Sequence, residues 1–307
     1  LMSAAVADEY HVVRTNVDAI AAAVGVDADK IMRANRLNVA PPGTVLRVPG
    51  VGVSRALRWL AGTGTVYTGR LKSTPQPSST IAAGSEVCTG TEGAGALRLS
   101  SSEGGHDDLI LAEETCVVVH PCSDSQGFRR SYVQLLKGRV WTRSSGGAGT
   151  VLVEAGNTVV TGLDYRAQGD SHGVSVEALS EGVEVLVGGA PIALADRTGV
   201  RVPPRGEVGA PRDLMPAPKP LTPASGEIMA EAAFTWETVP GASGYVFELS
   251  LSRDFGEPQA IVQVGGARWR PSQLELPLHE VFYWRVSALD DVGVLGVSSA
   301  PARFGAP

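Results

Sequence analysis

Between Trp59 and Pro203 the chain keeps returning to one pattern, and that pattern bounds its fold tightly. Short runs of alternating or continuous apolar residues recur: Thr65-Val66-Tyr67, Ala96-Leu97-Arg98-Leu99, Leu109-Ile110-Leu111, Val117-Val118-Val119, Tyr132-Val133-Gln134-Leu135, Arg139-Val140-Trp141, Val151-Leu152-Val153 and Val183-Glu184-Val185-Leu186-Val187. Glycine or serine clusters separate them. Successive side chains of a strand point to opposite faces, so such runs read as strands with a buried face. Many short strands at this spacing predict an all-β unit, whether sandwich, barrel or coil of strands. The 37 glycines and 20 prolines among 307 residues agree, because both residue types punctuate turns and interrupt helices.

Residues 10–49 carry a different signal. Tyr10-His11-Val12-Val13 reads as a strand. Val17, Ile20, Ala21 and Val24 follow the spacing of one helix face, and Gly25 ends that helix as a left-handed cap does. Asp27 caps a second helix with Ile31 and Ala34 on one face, closed by Asn35 and Leu37. Pro41-Pro42-Gly43 makes a turn, and Val45-Leu46-Arg47-Val48-Pro49 is a second strand. The predicted order is strand, helix, helix, strand.

Residues 204–225 hold Pro204, Pro211, Pro216, Pro218, Pro220 and Pro223, a density that predicts an extended, semi-rigid linker. Residues 226–307 return to period two at Tyr245-Val246-Phe247-Glu248-Leu249 and Phe282-Tyr283-Trp284-Arg285-Val286. Trp236, Tyr245 and Trp284 are the expected anchors of a small sandwich. The fold class is therefore mainly β and multi-domain: a βααβ module over 8–50, an all-β domain over 59–203, the linker, and a β-sandwich over 226–307.

The net charge of −6, with no long basic run, argues against nucleic acid as the main partner. No apolar run approaches the ~18–20 residues that span a bilayer. Ala5 and Ala7 ahead of Asp8 resemble the end of a signal peptide with its small-residue cleavage site, which predicts export. Cys88, Cys116 and Cys122 form no CxxC pair, so a structural zinc is not expected. In an oxidising compartment Cys116 could bridge to Cys122, with Cys88 to Cys116 equally open.

The first module resembles LysM, the small peptidoglycan-binding domain. The likeness rests on Tyr10-x-Val12, Ile20-Ala21, Val24-Gly25-Val26, Ile31-x-x-Ala34-Asn35-x-Leu37 and Pro42-Gly43-x-x-Leu46-x-Val48-Pro49. It implies a shallow groove for N-acetylglucosamine-containing glycan between two loops. Here these comprise Arg14, Thr15, Asn16 and Val17, with Leu37, Asn38, Val39, Pro42 and Gly43 opposite. The family's Gly-Asp-Thr-Leu after the first strand is replaced by Arg14-Thr15-Asn16-Val17.

The middle region resembles a FecR-type domain through Gly84-Ser85-x-Val87-x-Thr89-Gly90, Leu97-x-Leu99, Leu109-x-Leu111, Leu136-x-Gly138-x-Val140 and Ser180-Glu181-Gly182-Val183-x-Val185. Val160-Thr161-Gly162-Leu163-Asp164-Tyr165 stands where the family has Val-Arg-Gly-Thr-x-Phe. The C-terminal region is similar to a fibronectin type III-like module at Phe234-x-Trp236-x-x-Val239-x-Gly241-Ala242-x-x-Tyr245 and Tyr283-Trp284-Arg285-Val286-x-Ala288-x-Asp290. These likenesses imply a periplasmic envelope scaffold rather than a transcriptional regulator.

No HExxH, GxSxG or complete dinucleotide-binding glycine motif occurs, so neither enzyme nor cofactor is expected. Glu103-Gly104-Gly105-His106-Asp107-Asp108 is the one dense polar cluster, read as a solvated hairpin turn with metal binding as the rival. Arg268, Trp269 and Arg270 form the candidate protein-partner patch, since Trp and Arg dominate binding hot spots. The competing reading is one buried ring between two solvated cations. The sequence thus predicts a non-catalytic, exported, peptidoglycan-binding scaffold. Its alternative is a subunit of an envelope motility or secretion complex, with the LysM-like module in protein contacts.

Overall fold

A computed structural model describes residues 6–54, 56–100, 105–120, 122–123, 129–145, 149–228, 233–272, 276–277 and 279–306. The described chain is mainly β, with two helices near its start. Residues 1–5 of the expected signal remnant lie outside it, and Ala7 and Asp8 belong to the first strand.

The strands Val6–Val12 and Val45–Ser54 pair antiparallel. Between them in sequence run α1 (Val17–Val24) and α2 (Ala28–Asn35). Local chemistry sets the helix ends. Asn16 Oδ1 accepts from the Ala19 N–H at 3.0 Å, and Gly25 turns left-handed at φ +70°. Asp27 Oδ1 accepts from Lys30 N–H at 3.1 Å. Asn35 then ties α2 to the second strand: its Nδ2 donates to Ile31 O and Arg47 O, and its Oδ1 accepts from Arg47 N–H. The second strand runs on past Pro49 because the pairing slips between Ala7 and Glu9, so the proline falls in a bulge. The buried core here is Val13, Ile20, Ile31, Leu46 and Val48, a small one for a free-standing unit.

The middle region forms two sheets around one core that includes Trp59, Leu97, Val117, Val133, Val153 and Tyr165. One strand, Arg129–Ser145, belongs to both sheets. Its first half pairs with Cys116–His120 and, in parallel, with Gly149–Ala155. Its second half pairs antiparallel with His106–Leu111 and Tyr165–Asp170. Gly138 stands at the switch with φ +89°, where a Cβ would lie 2.5 Å from Thr115 Cα. Only glycine fits that approach.

The proline-rich segment is not a free spacer. Arg212–Asp213 pairs with Thr198 and Gly199, Leu214 N–H donates to Arg197 O, and Val297 N–H donates to Met215 O. Pro220–Thr222 becomes a strand beside Phe234–Trp236, which pairs in turn with Arg268–Trp269. The second C-terminal sheet orders Glu227–Ile228, Ala302–Gly305, Val281–Leu289, Gly244–Ser250 and Pro258–Val264. Phe234, Trp236, Tyr245, Phe247 and Trp284 fill the space between these sheets, so the three expected anchors are buried.

The middle and C-terminal units meet over an apolar patch of Ile110, Ala112, Val246, Ile261, Leu289 and Leu295. Main-chain bonds stitch the patch, including Glu113 N–H to Ile261 O at 2.9 Å.

Candidate functional site

Backbone bonds tie the residue just before the first expected glycan loop to the turn in the second. Gly43 N–H donates to Val13 O at 2.7 Å, and Val13 N–H donates to Thr44 O at 2.9 Å. These bonds seat the turn at Pro42 and Gly43 beside Arg14. The residues then divide. Thr15, Asn16, Asn38 and Val39 are exposed, Val39 at 73% of its surface, while Val17 and Leu37 are half-buried against the module core. Asn16 spends its side-chain oxygen on capping α1.

Arg14, Pro42 and Gly43 instead face the middle region. Arg14 Nη2 donates to Glu184 Oε2 at 2.5 Å, and that hydrogen bond raises the guanidinium pKa. The turn between the strands Val183–Val187 and Ala190–Leu194 lies against Pro42 and Gly43. A Cβ at Gly43 would fall 2.6 Å from Gly189 N, and one at Gly189 would fall 2.6 Å from the Pro42 carbonyl carbon. Gly188 and Gly189 have φ of +55° and +87°, so the turn uses the left-handed freedom of both, and the backbone-to-backbone approach needs the missing side chain of Gly189. Of the residues expected at the groove, some are thus exposed and others are met by protein. Sequence reasoning missed Glu184, Gly188 and Gly189. The Gly-Gly pair between two apolar runs signals a hairpin turn, but nothing local names what the turn touches.

Beneath the module Tyr10 stacks on Tyr132 with ring centroids 4.5 Å apart, and His120 lies 5.0 Å from Tyr10. Burial lowers the His120 pKa and raises that of Tyr132, whose hydroxyl donates to Glu154. A cavity of about 370 Å³ opens beside them, lined by His11, Arg14, Leu152 and Thr161 among others.

Of the two cysteine pairings open from sequence, the structure forms Cys88 to Cys116. They face each other across paired strands with Cα atoms 4.2 Å apart, so Cys116 is not available to Cys122. Cys122 instead lies in a short strand that pairs with Ser54 of the module. Glu86 adds a carboxylate within 4.8 Å of both sulfurs, but sulfurs bonded to each other are not thiolate ligands.

The polar cluster at 103–108 is not a solvated turn where it is described. Glu103 and Gly104 lie outside the described residues. Asp107 and Asp108 are buried in the strand His106–Leu111. Arg98 grips Asp108 through two bonds of 2.7 and 2.9 Å, and Ser144 Oγ donates to Asp107 at 2.6 Å. Side-chain hydrogen bonds within the sheet hold both carboxylates. At Arg268-Trp269-Arg270 the structure follows the competing reading, a buried ring between two exposed cations, and not the partner patch. Trp269 is buried against Phe234 and Phe247, because strand alternation turns its ring inward, and only Arg268 and Arg270 are exposed.

A denser charged cluster sits between the middle and C-terminal units. Arg166 donates to Gly296 O and Ser298 Oγ, Glu177 Oε1 accepts from Leu295 N–H, and Arg285 donates to Glu248 at 2.6 Å. Trp141 lies under Arg143, Arg166 and Arg285, with its Nε1 donating to Asp164 at 2.8 Å. Burial raises the carboxyl pKa of Asp164 and Glu177 and lowers that of Arg166. These groups mostly answer one another, an arrangement that fixes two units in one register. No helix among the described residues is long and apolar enough to cross a membrane. Compared with known proteins, the chain matches no protein-family model and no curated sequence.

Proposed function

We propose that this chain is a non-catalytic scaffold of the bacterial cell envelope, exported to the periplasm, that holds peptidoglycan through its LysM-like module. The observation that carries the reading is the exposed part of the expected groove. There exposed Val39 stands beside exposed Asn38, with Thr15 on the facing loop. An apolar side chain next to amide and hydroxyl groups suits a sugar face flanked by its acetamido group. The FecR-like and fibronectin type III-like regions then serve as rigid surfaces for other envelope proteins. Their buried charges are engaged in holding the fold, which supports a structural rather than a chemical role. The test is sedimentation of the full chain with purified peptidoglycan across a range of salt. Wild type should pellet and Val39→Asp should pellet less. A full chain that stays in the supernatant throughout refutes glycan anchoring.

A second reading has its own observation. Arg14 on Glu184, and Pro42 with Gly43 on Gly188 and Gly189, turn part of the groove toward protein. On this reading the module is a packing element in a subunit of a larger envelope complex. Stoichiometric partners on purification from native envelopes would support it. A chain that is always recovered alone would count against it.

A further inference from the structure

At the edge of the contact between the middle and C-terminal units lies a cleft of about 420 Å³. Its walls come from three places: the bend around Gly138 in the shared strand, the loop at Glu113 and Glu114, and the outer strand Pro258–Val264. Sites for small molecules concentrate at such junctions between units.

The charges along the cleft differ in how far they are already engaged. Glu113 is used: its Oε1 accepts from Gln263 N–H at 2.7 Å and its Oε2 from Glu92 N–H at 3.2 Å. Asp170 is used too, accepting from Arg201 at 2.5 Å and from His172 N–H at 2.7 Å. Arg139 is different. It is 8% exposed, donates to Gln168 through Nη2, and keeps a buried Nε with no hydrogen-bond partner. A buried donor left unpaired costs stability, and such groups mark places where a ligand completes the set. Burial, with the Arg166 and Arg201 charges adding to it and Glu177 opposing, pulls the Arg139 pKa down to about 10. It stays cationic at neutral pH.

Two exposed charges of opposite sign line the same cleft. Lys137 has no ion-pair partner among the described residues. Glu114 receives only a 3.5 Å contact from Thr91 Oγ1 and is held at a left-handed φ of +51°. That backbone conformation is costly for a residue with a side chain, and strain of this kind gathers at binding sites.

We infer that this cleft binds a small zwitterion, a free amino acid or short peptide, whose carboxylate meets Arg139 and Lys137 and whose ammonium meets Glu114. A guanidinium with an unpaired donor favours a carboxylate, and the anionic group in the same cleft disfavours ligands that are anionic alone. The inference does not depend on glycan binding by the N-terminal module.

The experiment is calorimetric titration of the full chain with dialanine, with N-acetyl-dialanine and with dialanine amide. Dialanine should bind, and blocking either end should weaken binding about tenfold, the loss of one charge-assisted bond. Because substitution of buried Arg139 can unfold the chain, the variants are the exposed Lys137→Ala and Glu114→Ala. Each should weaken dialanine binding while leaving the melting temperature near that of wild type. No binding of dialanine overturns the inference, as does equal binding of all three compounds. Dialanine binding that neither variant alters places the ligand elsewhere and overturns it too.

Discussion

Reducing the Cys88–Cys116 disulfide tests the pairing. The bridge closes a loop with a sequence separation of 28 residues. In the chain-entropy account a loop of that length restricts the unfolded state by about 3.6 kcal/mol near room temperature. Domains of about 150 residues or more move by roughly 2–4 °C in Tm per kcal/mol, so reduction should lower the middle-region transition by roughly 7–14 °C. The pairing of the strands Glu86–Cys88 and Cys116–His120 persists without the bond, so the fold itself should survive. Calorimetry with and without reductant reads the shift, and Cys88→Ala should reproduce it without reductant. Cys122→Ala is the control and should leave the reductant effect intact. The reasoning fails if reductant changes nothing, or if Cys122→Ala abolishes the response as fully as Cys88→Ala does.

Three further outcomes are expected. Gly189→Val should lift the N-terminal module off the middle region, since left-handed backbone costs a side chain about 1–2 kcal/mol and the new Cβ meets Pro42. Small-angle scattering should show a larger radius of gyration, whereas Gly182→Ala, with φ +78° and open space around its Cβ, should not change it. Asp164 has a raised carboxyl pKa in the fold, so the folded state holds its proton more tightly. Its contribution is full below the ordinary carboxyl range near about pH 4 and is lost as pH climbs through the folded value. Asp164→Asn should flatten that loss in urea unfolding at stepped pH, and an unchanged slope would contradict the assignment. Trp284→Ala, at the centre of the aromatic core, should cost about 3–5 kcal/mol in denaturant unfolding, and a loss below one kcal/mol would contradict the packing.

What the sequence makes legible here is local. Gly25 and Asp27 mark the helix ends because capping is settled within a few residues, and the period-two runs mark strands because alternation needs no partner. Trp236, Tyr245 and Trp284 announce a core by size alone. Pairing is not local. Nothing near Arg129 shows that its strand passes from one sheet to the other, and Gly138 reads as one more turn glycine until Thr115 is seen against it. The same holds for the candidate site. The loop residues of the groove follow from the motif, but their division depends on Glu184 and Gly189, some 170 and 146 positions away from Arg14 and Gly43 respectively. Asp108 departs from the expected turn for a related reason, since charged side chains at a sheet face are sorted by what covers that face, and the same covering decides between the two readings open for Trp269.

The shared strand Arg129–Ser145 has a mechanical consequence. Ser123 joins it to the module strand through pairings with Arg129 and Val53, while Arg143 near its other end donates to Asp254 O at 2.5 Å. Tension applied between the N-terminal module and the C-terminal unit would thus run along one continuous strand clamped on both sides. Its ladder bonds lie across the pull and would be sheared together, not peeled one at a time. A chain built this way resists stretch through its length rather than giving at a joint.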